Sequence, residues 1–271
     1  MNESATGRAV LITGASRGIG RAIATQFAAA GDRVAIHHKA SPALAQELAA
    51  ELDGTGHVVV QADLADSEAV LAMVDSAVEQ LGGLDILVNN AGVFTSHPIT
   101  EVSYEAWQRE WQTTLGINLI GAANVTWCAV RHLKDRGGRI INVSSRGAFR
   151  GEPDGPAYGA SKAGMNSFGQ SLAIALAPYR IAVSTVAPGF VATDMTNDHL
   201  KPPRGDEIKA QSPFGRVAEP DEIAAAVLYL ASAQAEWASG AVLDLNGASY
   251  LRTLWAGRGL LTGRRRVSIA A

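Results

Sequence analysis

Seven short runs of apolar, mostly β-branched residues recur along this chain with helical stretches between them, and that alternation constrains the fold more than any other feature. The runs are Ala9–Thr13, Arg33–His37, His57–Gln61, Leu84–Val88, Arg139–Ser144, Ile181–Ala187 and Ala241–Leu245. Helices are expected over Ile19–Ala30, Pro42–Leu52 and Ser67–Leu81. Ser41 before Pro42 reads as an N-cap followed by proline at the first helical position. Ser67 reads as the cap of the next helix, and Pro220, ahead of Asp221 and Glu222, opens a helix through Leu230. Strands that are mostly apolar are buried on both faces, so the pattern predicts a parallel sheet with helices on both sides. No low-complexity linker or internal repeat divides the chain. The expectation is one doubly wound α/β domain with a seven-stranded parallel sheet.

Two segments depart from the alternation. Residues 188–216 contain Pro188, Gly189, Pro202, Pro203, Gly205 and Pro213, which predicts a long loop with one short helix; long loops in compact domains are usually lids or binding elements. Residues 251–271 carry five arginines and no acid. The domain is therefore expected over 1–250, and 251–271 reads as an Arg-rich C-terminal extension, poorly ordered or draped on the surface.

Charge and composition exclude several functions. Lys and Arg total 23 against 26 Asp and Glu, so the chain lacks the basic excess expected for binding nucleic acid. The single cysteine, Cys128, cannot form an intrachain disulfide or a cysteine-rich zinc site, and it reads as a small buried hydrophobe. His37 and His38 are adjacent on a strand and point to opposite faces, so no metal site is expected. The longest apolar run, Ile223–Ala231, falls well short of the ~20 residues that cross a bilayer. Met1–Arg8 offers no apolar signal core, and the expected location is cytoplasmic, away from membranes.

After the first strand comes Thr13-Gly14-Ala15-Ser16-Arg17-Gly18-Ile19-Gly20, and then a helix. Such a turn is an anion site, because free backbone N–H groups and the helix dipole both face a phosphate and glycine lets it approach the backbone. The Gly-x-x-x-Gly-x-Gly spacing, together with Asn89-Asn90-Ala91-Gly92 after the fourth strand, resembles the short-chain dehydrogenase/reductase family over about residues 7–250. That resemblance implies a single Rossmann-type domain and a nicotinamide cofactor. A carboxylate that selects NAD would stand just after the second strand. Here His37-His38-Lys39-Ala40-Ser41 follows it, with no acid between Asp32 and Glu47. A 2′-phosphate would find Lys39 there, beside His38, and Arg17 across the turn; NADP(H) is expected. By resemblance, Asp63 and Leu64 flank the adenine, Asn90, Ala91 and Gly92 line the ribose side, and Pro188, Gly189, Val191 and Thr193 meet the nicotinamide.

Tyr158 and Lys162 lie four apart in a predicted helix, on one face. Ser145, thirteen residues before the tyrosine, ends the fifth strand, where doubly wound sheets bind ligands. Hydride transfer to a carbonyl leaves charge on oxygen, so a proton donor must stand beside it. An ammonium at about 4 Å would favour phenolate by on the order of 4 kcal/mol, lowering the phenol by up to about three pKa units. The family resemblance implies matching roles. Tyr158 is acid in reduction and base in oxidation, Lys162 holds the nicotinamide ribose and tunes the tyrosine, Ser145 hydrogen-bonds the substrate oxygen, and Asn118 anchors a water relay.

Within the family the chain most resembles 3-oxoacyl-[acyl-carrier-protein] reductases, in Asn142–Ser145, Ala187–Gly189, Asp194-Met195 and Gly215-Arg216 with Glu219-Pro220. Arg136 stands where such enzymes can dock the acidic carrier; the second docking arginine is displaced to Arg180, and Asn246-Gly247-Ala248 replaces the more usual Asp-Gly-Gly. The resemblance implies NADPH-dependent reduction of a ketone, with a 3-oxoacyl thioester, a sugar, a steroid or a polyketide intermediate as substrate; a non-catalytic NADP-binding protein is the remote alternative. It also implies a homotetramer or homodimer built on the helices that carry Asn118 and Tyr158. Trp107 and Trp111 are expected in a core or a subunit contact.

Overall fold

The computed structural model describes residues 7–249 and Leu251. The elements run β1 (Ala9–Ile12), α1 (Gly18–Ala29), β2 (Arg33–His38), α2 (Pro42–Glu51), β3 (Val58–Gln61), α3 (Ser67–Leu81) and β4 (Ile86–Asn89). Then come α4 (Tyr104–Leu115), α5 (Ala122–Leu133), β5 (Gly138–Val143), α6 (Pro156–Leu176), β6 (Ile181–Pro188), α7 (Arg204–Ala210), α8 (Pro220–Leu230) and β7 (Val242–Leu245). All seven expected strands are present, with ends shifted by at most two residues. The expected extension at 251–271 lies, apart from Leu251, outside the described residues.

The strands form one parallel sheet in the order β3-β2-β1-β4-β5-β6-β7. Its strand order reverses between β1 and β4, and a crevice opens there beyond the carboxyl ends of the strands. Because side chains alternate between faces, each central strand feeds two cores. Val10, Ile12, Val34, Ile36 and Val88 pack on Ile23 and Phe27 of α1 and Val227 of α8. Ala9, Leu11, Ala35, Leu87 and Val183 pack instead on Met73 and Val74 of α3, Leu133 of α5 and Leu176 of α6. Cys128 is buried in this second core, as expected.

Two capping expectations change. The N-cap of α3 is Asp66, whose carboxylate accepts from the Glu68 and Ala69 N–H groups at 3.0 and 3.1 Å; Ser67 is the first helical residue. An acid there satisfies orphan donors and also complements the helix dipole. Ser41 precedes α2 at the N-cap position, but its hydroxyl makes no capping hydrogen bond. The run Tyr104–Leu133, 30 residues long, is the one described helical stretch long and apolar enough to reach across a bilayer. It is instead built into the fold, with Thr114, Asn118, Val125, Cys128, Ala129 and Leu133 buried.

Candidate active site

The crevice is a cleft of about 630 Å³, and the expected cofactor residues converge on it from five strand ends. Gly14, Ser16 and Arg17 come from the turn after β1, Gly18, Ile19 and Gly20 from the first turn of α1, His38 and Lys39 from the end of β2 and the residue after it, and Asp63 and Leu64 from the turn after β3. Asn90, Ala91 and Gly92 follow β4, and Pro188, Gly189, Val191 and Thr193 end and follow β6. Ser145, Tyr158 and Lys162 form the inner wall, while Asn118 stands fully buried behind it.

The glycine turn is held by partners that sequence reading did not assign. Gly14 has a φ of +64°, and a Cβ there would sit 2.9 Å from the Ala91 Cα, so only glycine fits. Its N–H donates to the His37 Nδ1 at 2.9 Å, which puts the ring proton on Nε2, 3.1 Å from the Ala62 carbonyl oxygen. Burial lowers the His37 pKa from 6.5 to about 4 and keeps the ring neutral. Asn90 turns its side chain inward, donating to the Thr13 and Gly14 carbonyls at 2.9 and 3.0 Å, while the Thr13 hydroxyl accepts from the Asn90 and Ala91 N–H groups. Asn90 thus ties the turn to β4 with its side chain.

At the end expected to bind the 2′-phosphate, Lys39 Nζ pairs with Asp63 at 2.6 Å. Lys39 holds the Asp63 carboxyl below its usual range, and a phosphate would have to share or replace that partner. Arg17 is exposed and in no ion pair among the described residues. His38 carries a buried Nδ1 without a hydrogen-bond partner among the described residues. Left-handed glycines at 14 and 18, the free guanidinium and the orphaned imidazole nitrogen all fit a phosphorylated dinucleotide.

The chemical centre rests on a local departure from α-helix. Between α4 and α5 the backbone widens into a π-helical turn, Gly116–Gly121, which carries Asn118. Such bulges recur at functional sites. Asn118 Oδ1 accepts from the Val93 N–H at 2.8 Å, and its Nδ2 donates to the Val93 carbonyl at 2.9 Å and to the Ser161 hydroxyl at 3.2 Å. Lys162 Nζ donates to the Val143 carbonyl at 2.8 Å. Ser145 accepts from the Gly147 N–H at 3.1 Å and faces the Tyr158 hydroxyl closely enough to favour its ionised form. Phe94, not singled out from sequence, meets the Tyr158 ring edge-on at 5.4 Å between centroids.

The expected acidification of Tyr158 by Lys162 is not found. Burial raises the phenol above its ordinary value; the Ser145 hydroxyl offsets part of this, and the Glu152 charge adds to it. Lys162 is itself desolvated, with its pKa lowered to about 8, and its ammonium is aimed at the Val143 carbonyl, 5.8 Å from the tyrosine ring centroid. Burial dominates the phenol, and Lys162 does not act on it, because its ammonium donates to a backbone carbonyl.

The family model described as enoyl-(acyl carrier protein) reductase matches residues 14–247. The chain belongs to the short-chain dehydrogenase/reductase family. It is 39% identical over 254 residues to the L-rhamnose 1-dehydrogenase (NAD(P)(+)) of Azotobacter vinelandii, covering 90% of this chain and 97% of that one. It is 37% identical over 247 residues to the 3-oxoacyl-[acyl-carrier-protein] reductase FabG of Staphylococcus aureus, covering 90% and 98%. Among solved structures, the angucycline C-6 ketoreductase LanV with bound NADP superposes with a TM-score of 0.83 at 36% identity, over 92% of this chain and 97% of that one. A short chain dehydrogenase from Burkholderia cenocepacia in complex with NADP gives 0.80 at 34%, over 90% and 98%. This short-chain dehydrogenase/reductase is an NADP-dependent oxidoreductase.

One further expectation meets the geometry differently. Arg136 and Arg180 immediately precede the β5 and β6 regions, so both lie at the amino end of the sheet. The cleft opens at the opposite, carboxyl end. A carrier docked on these arginines would face away from this chain's own Tyr158. His37 is committed to the Gly14 N–H and the Ala62 carbonyl.

Proposed function

We propose that this enzyme reduces a ketone carbonyl with NADPH, and that the substrate is a 3-oxoacyl thioester. NADPH supplies the hydride to the carbonyl carbon. Tyr158 delivers the proton to the carbonyl oxygen, while the Ser145 hydroxyl hydrogen-bonds that oxygen and orients it. Lys162 holds the nicotinamide ribose, and Asn118 fixes the Val93 backbone and Ser161 around it so that a water chain can return a proton to the tyrosine. The observation that carries this reading is the convergence of Ser145, Tyr158 and Lys162 on the cleft opened by the glycine turn. The reaction belongs in the cytoplasm, as expected from sequence, in a homotetramer or homodimer.

A second reading is favoured by one observation. Because Arg136 and Arg180 stand at the end of the sheet remote from the cleft, docking of an acyl carrier protein on them gains no access to this chain's tyrosine. A small free substrate, a sugar or another secondary alcohol, then replaces the carrier-borne acyl chain. Initial rates with an acetoacetyl thioester, L-rhamnose and cyclic ketones, each with both nicotinamides, decide between them. A thioester preference with NADPH supports the first reading, a sugar preference supports the second, and no turnover with any of them overturns both.

A further inference from the structure

A second recess lies on the far side of the β6-end loop from the cofactor cleft. It holds about 300 Å³ and has apolar walls that include Phe190, Ile208 and Phe214. Among the described residues, one unpaired cation and one unsatisfied amide meet in it. Arg146, the residue after Ser145, is only 5% exposed, yet no ion pair among the described residues includes it. Its guanidinium lies 4.9 Å from the Phe190 ring centroid and donates one hydrogen bond, 2.6 Å to the Ser249 hydroxyl. Buried charges are ordinarily paired, and a guanidinium has five N–H donors in a fork that matches an oxyanion. The amide is Asn246, 8% exposed, whose Nδ2 is buried without a partner among the described residues while its Oδ1 accepts from the Ser249 N–H at 3.1 Å. Ser249 therefore links the two.

The acids nearby do not neutralise Arg146. Glu222 is bound through both oxygens to Arg216 at 2.7 Å, and Asp244 lies exposed on the rim. Glu152 exerts a field on Arg146 without forming an ion pair. The recess thus combines one buried cation, one buried amide donor and apolar walls, which is the complement of an amphiphilic acid.

We propose that this recess is a binding site for an organic carboxylate, with Arg146 and Asn246 holding the anion and Phe190, Ile208 and Phe214 covering an apolar body. Phe190 sits between Gly189 and Val191 of the cofactor cleft, so the two recesses share one loop.

The test uses the full chain saturated with NADPH, so that the cofactor cleft is blocked. Calorimetric titration with octanoate, octan-1-ol and inorganic phosphate reads the site directly. Octanoate is expected to bind in preference to the other two, and Arg146→Met weakens it by about tenfold or more. Asn246→Asp is the second variant. It places a carboxylate beside Ser249, competes for Arg146 from within, and removes octanoate binding while the melting temperature holds or rises. Octanoate binding that survives both variants, binding of phosphate without octanoate, or no binding of any of the three overturns the proposal.

Discussion

At the scale of single residues, the site is a set of polar groups whose environments pull against their ordinary behaviour. Tyr158→Phe removes the proton donor but leaves the ring that packs on Phe94. The expected outcome is a fall in kcat of roughly 10²–10⁴-fold with NADPH affinity nearly unchanged, read by steady-state rates and a fluorescence titration. Arg17 and Lys39 should separate in the same titration. Arg17→Ala frees no compensating charge and is expected to weaken NADPH by about 10- to 100-fold. Lys39→Ala costs less, because Lys39 gives up its 2.6 Å pair with Asp63 to reach the phosphate; NADH affinity changes little in either variant. His37 sets a pH dependence of stability. Its folded pKa, about 4, lies below the unfolded 6.5, so the unfolded chain binds more protons between those values. The contribution is complete above 6.5 and is lost as pH falls to about 4, on the order of 3 kcal/mol in all. His37→Gln should flatten that part of a denaturation-versus-pH curve; an unchanged slope would mean that the Gly14 contact is not sensed. That Arg17, Ser145, Tyr158 and Lys162 line one cleft was legible from the glycine turn, from Ser145 at a strand end and from the family resemblance. The roles of His37 and Asn90 were not, since both act on backbone groups that come together only in the fold.

At the scale of elements, the sheet was legible to within two residues at each strand end, because buried parallel strands must be apolar on both faces. The π-helical turn that carries Asn118 was not legible. A bulge in helical register adds no distinctive residue, and Asn118 could be placed only by resemblance. Its neighbour Gly121 shows why the turn sits where it does. A Cβ there would lie 2.7 Å from the Leu64 carbonyl oxygen and 2.9 Å from the Leu64 Cβ, so glycine lets the helix approach the turn after β3 that borders the adenine end. Gly121→Ala is expected to cost about 1–3 kcal/mol of stability by overpacking. It should also weaken cofactor binding by displacing Leu64. A variant with wild-type melting temperature and wild-type NADPH affinity would show that the helix has room to shift. Loop 188–216 contains the one short helix expected of it, α7, and is tethered to the turn region before α6 by Arg204 and Asp154 at 3.2 Å and by Arg150 and Gln211 at 3.0 Å. Neither tether was visible in the sequence, since both join segments about fifty residues apart or more.

At the scale of the molecule, two separate faces carry apolar side chains that a lone chain leaves in water. On the outer side of the helices that bear Asn118 and Tyr158, Ile120, Trp127 and Ile174 are 56%, 65% and 81% exposed. Beyond the edge strand β7, Tyr229 and Leu243 are partly exposed and Trp237 is fully so. Isolated exposed hydrophobes are ordinary, but groups of them mark interfaces, and an uncovered edge strand is itself a pairing site. Two distinct self-complementary faces generate a closed tetramer by two-fold axes, whereas one face generates only a dimer. The chain, 28.3 kDa alone, is therefore expected to sediment as four copies. Trp127→Glu with Ile174→Glu should leave dimers held through the β7 face, and Trp237→Glu should leave dimers held through the helical face. Combining all three should give single chains. Because Asn118 and Tyr158 ride on the helices of the first face, losing that contact should lower kcat as well as mass, whereas losing the second should lower mass alone. A wild-type chain that sediments as a monomer with full turnover would detach assembly from catalysis, and the exposed tryptophans would then need another partner.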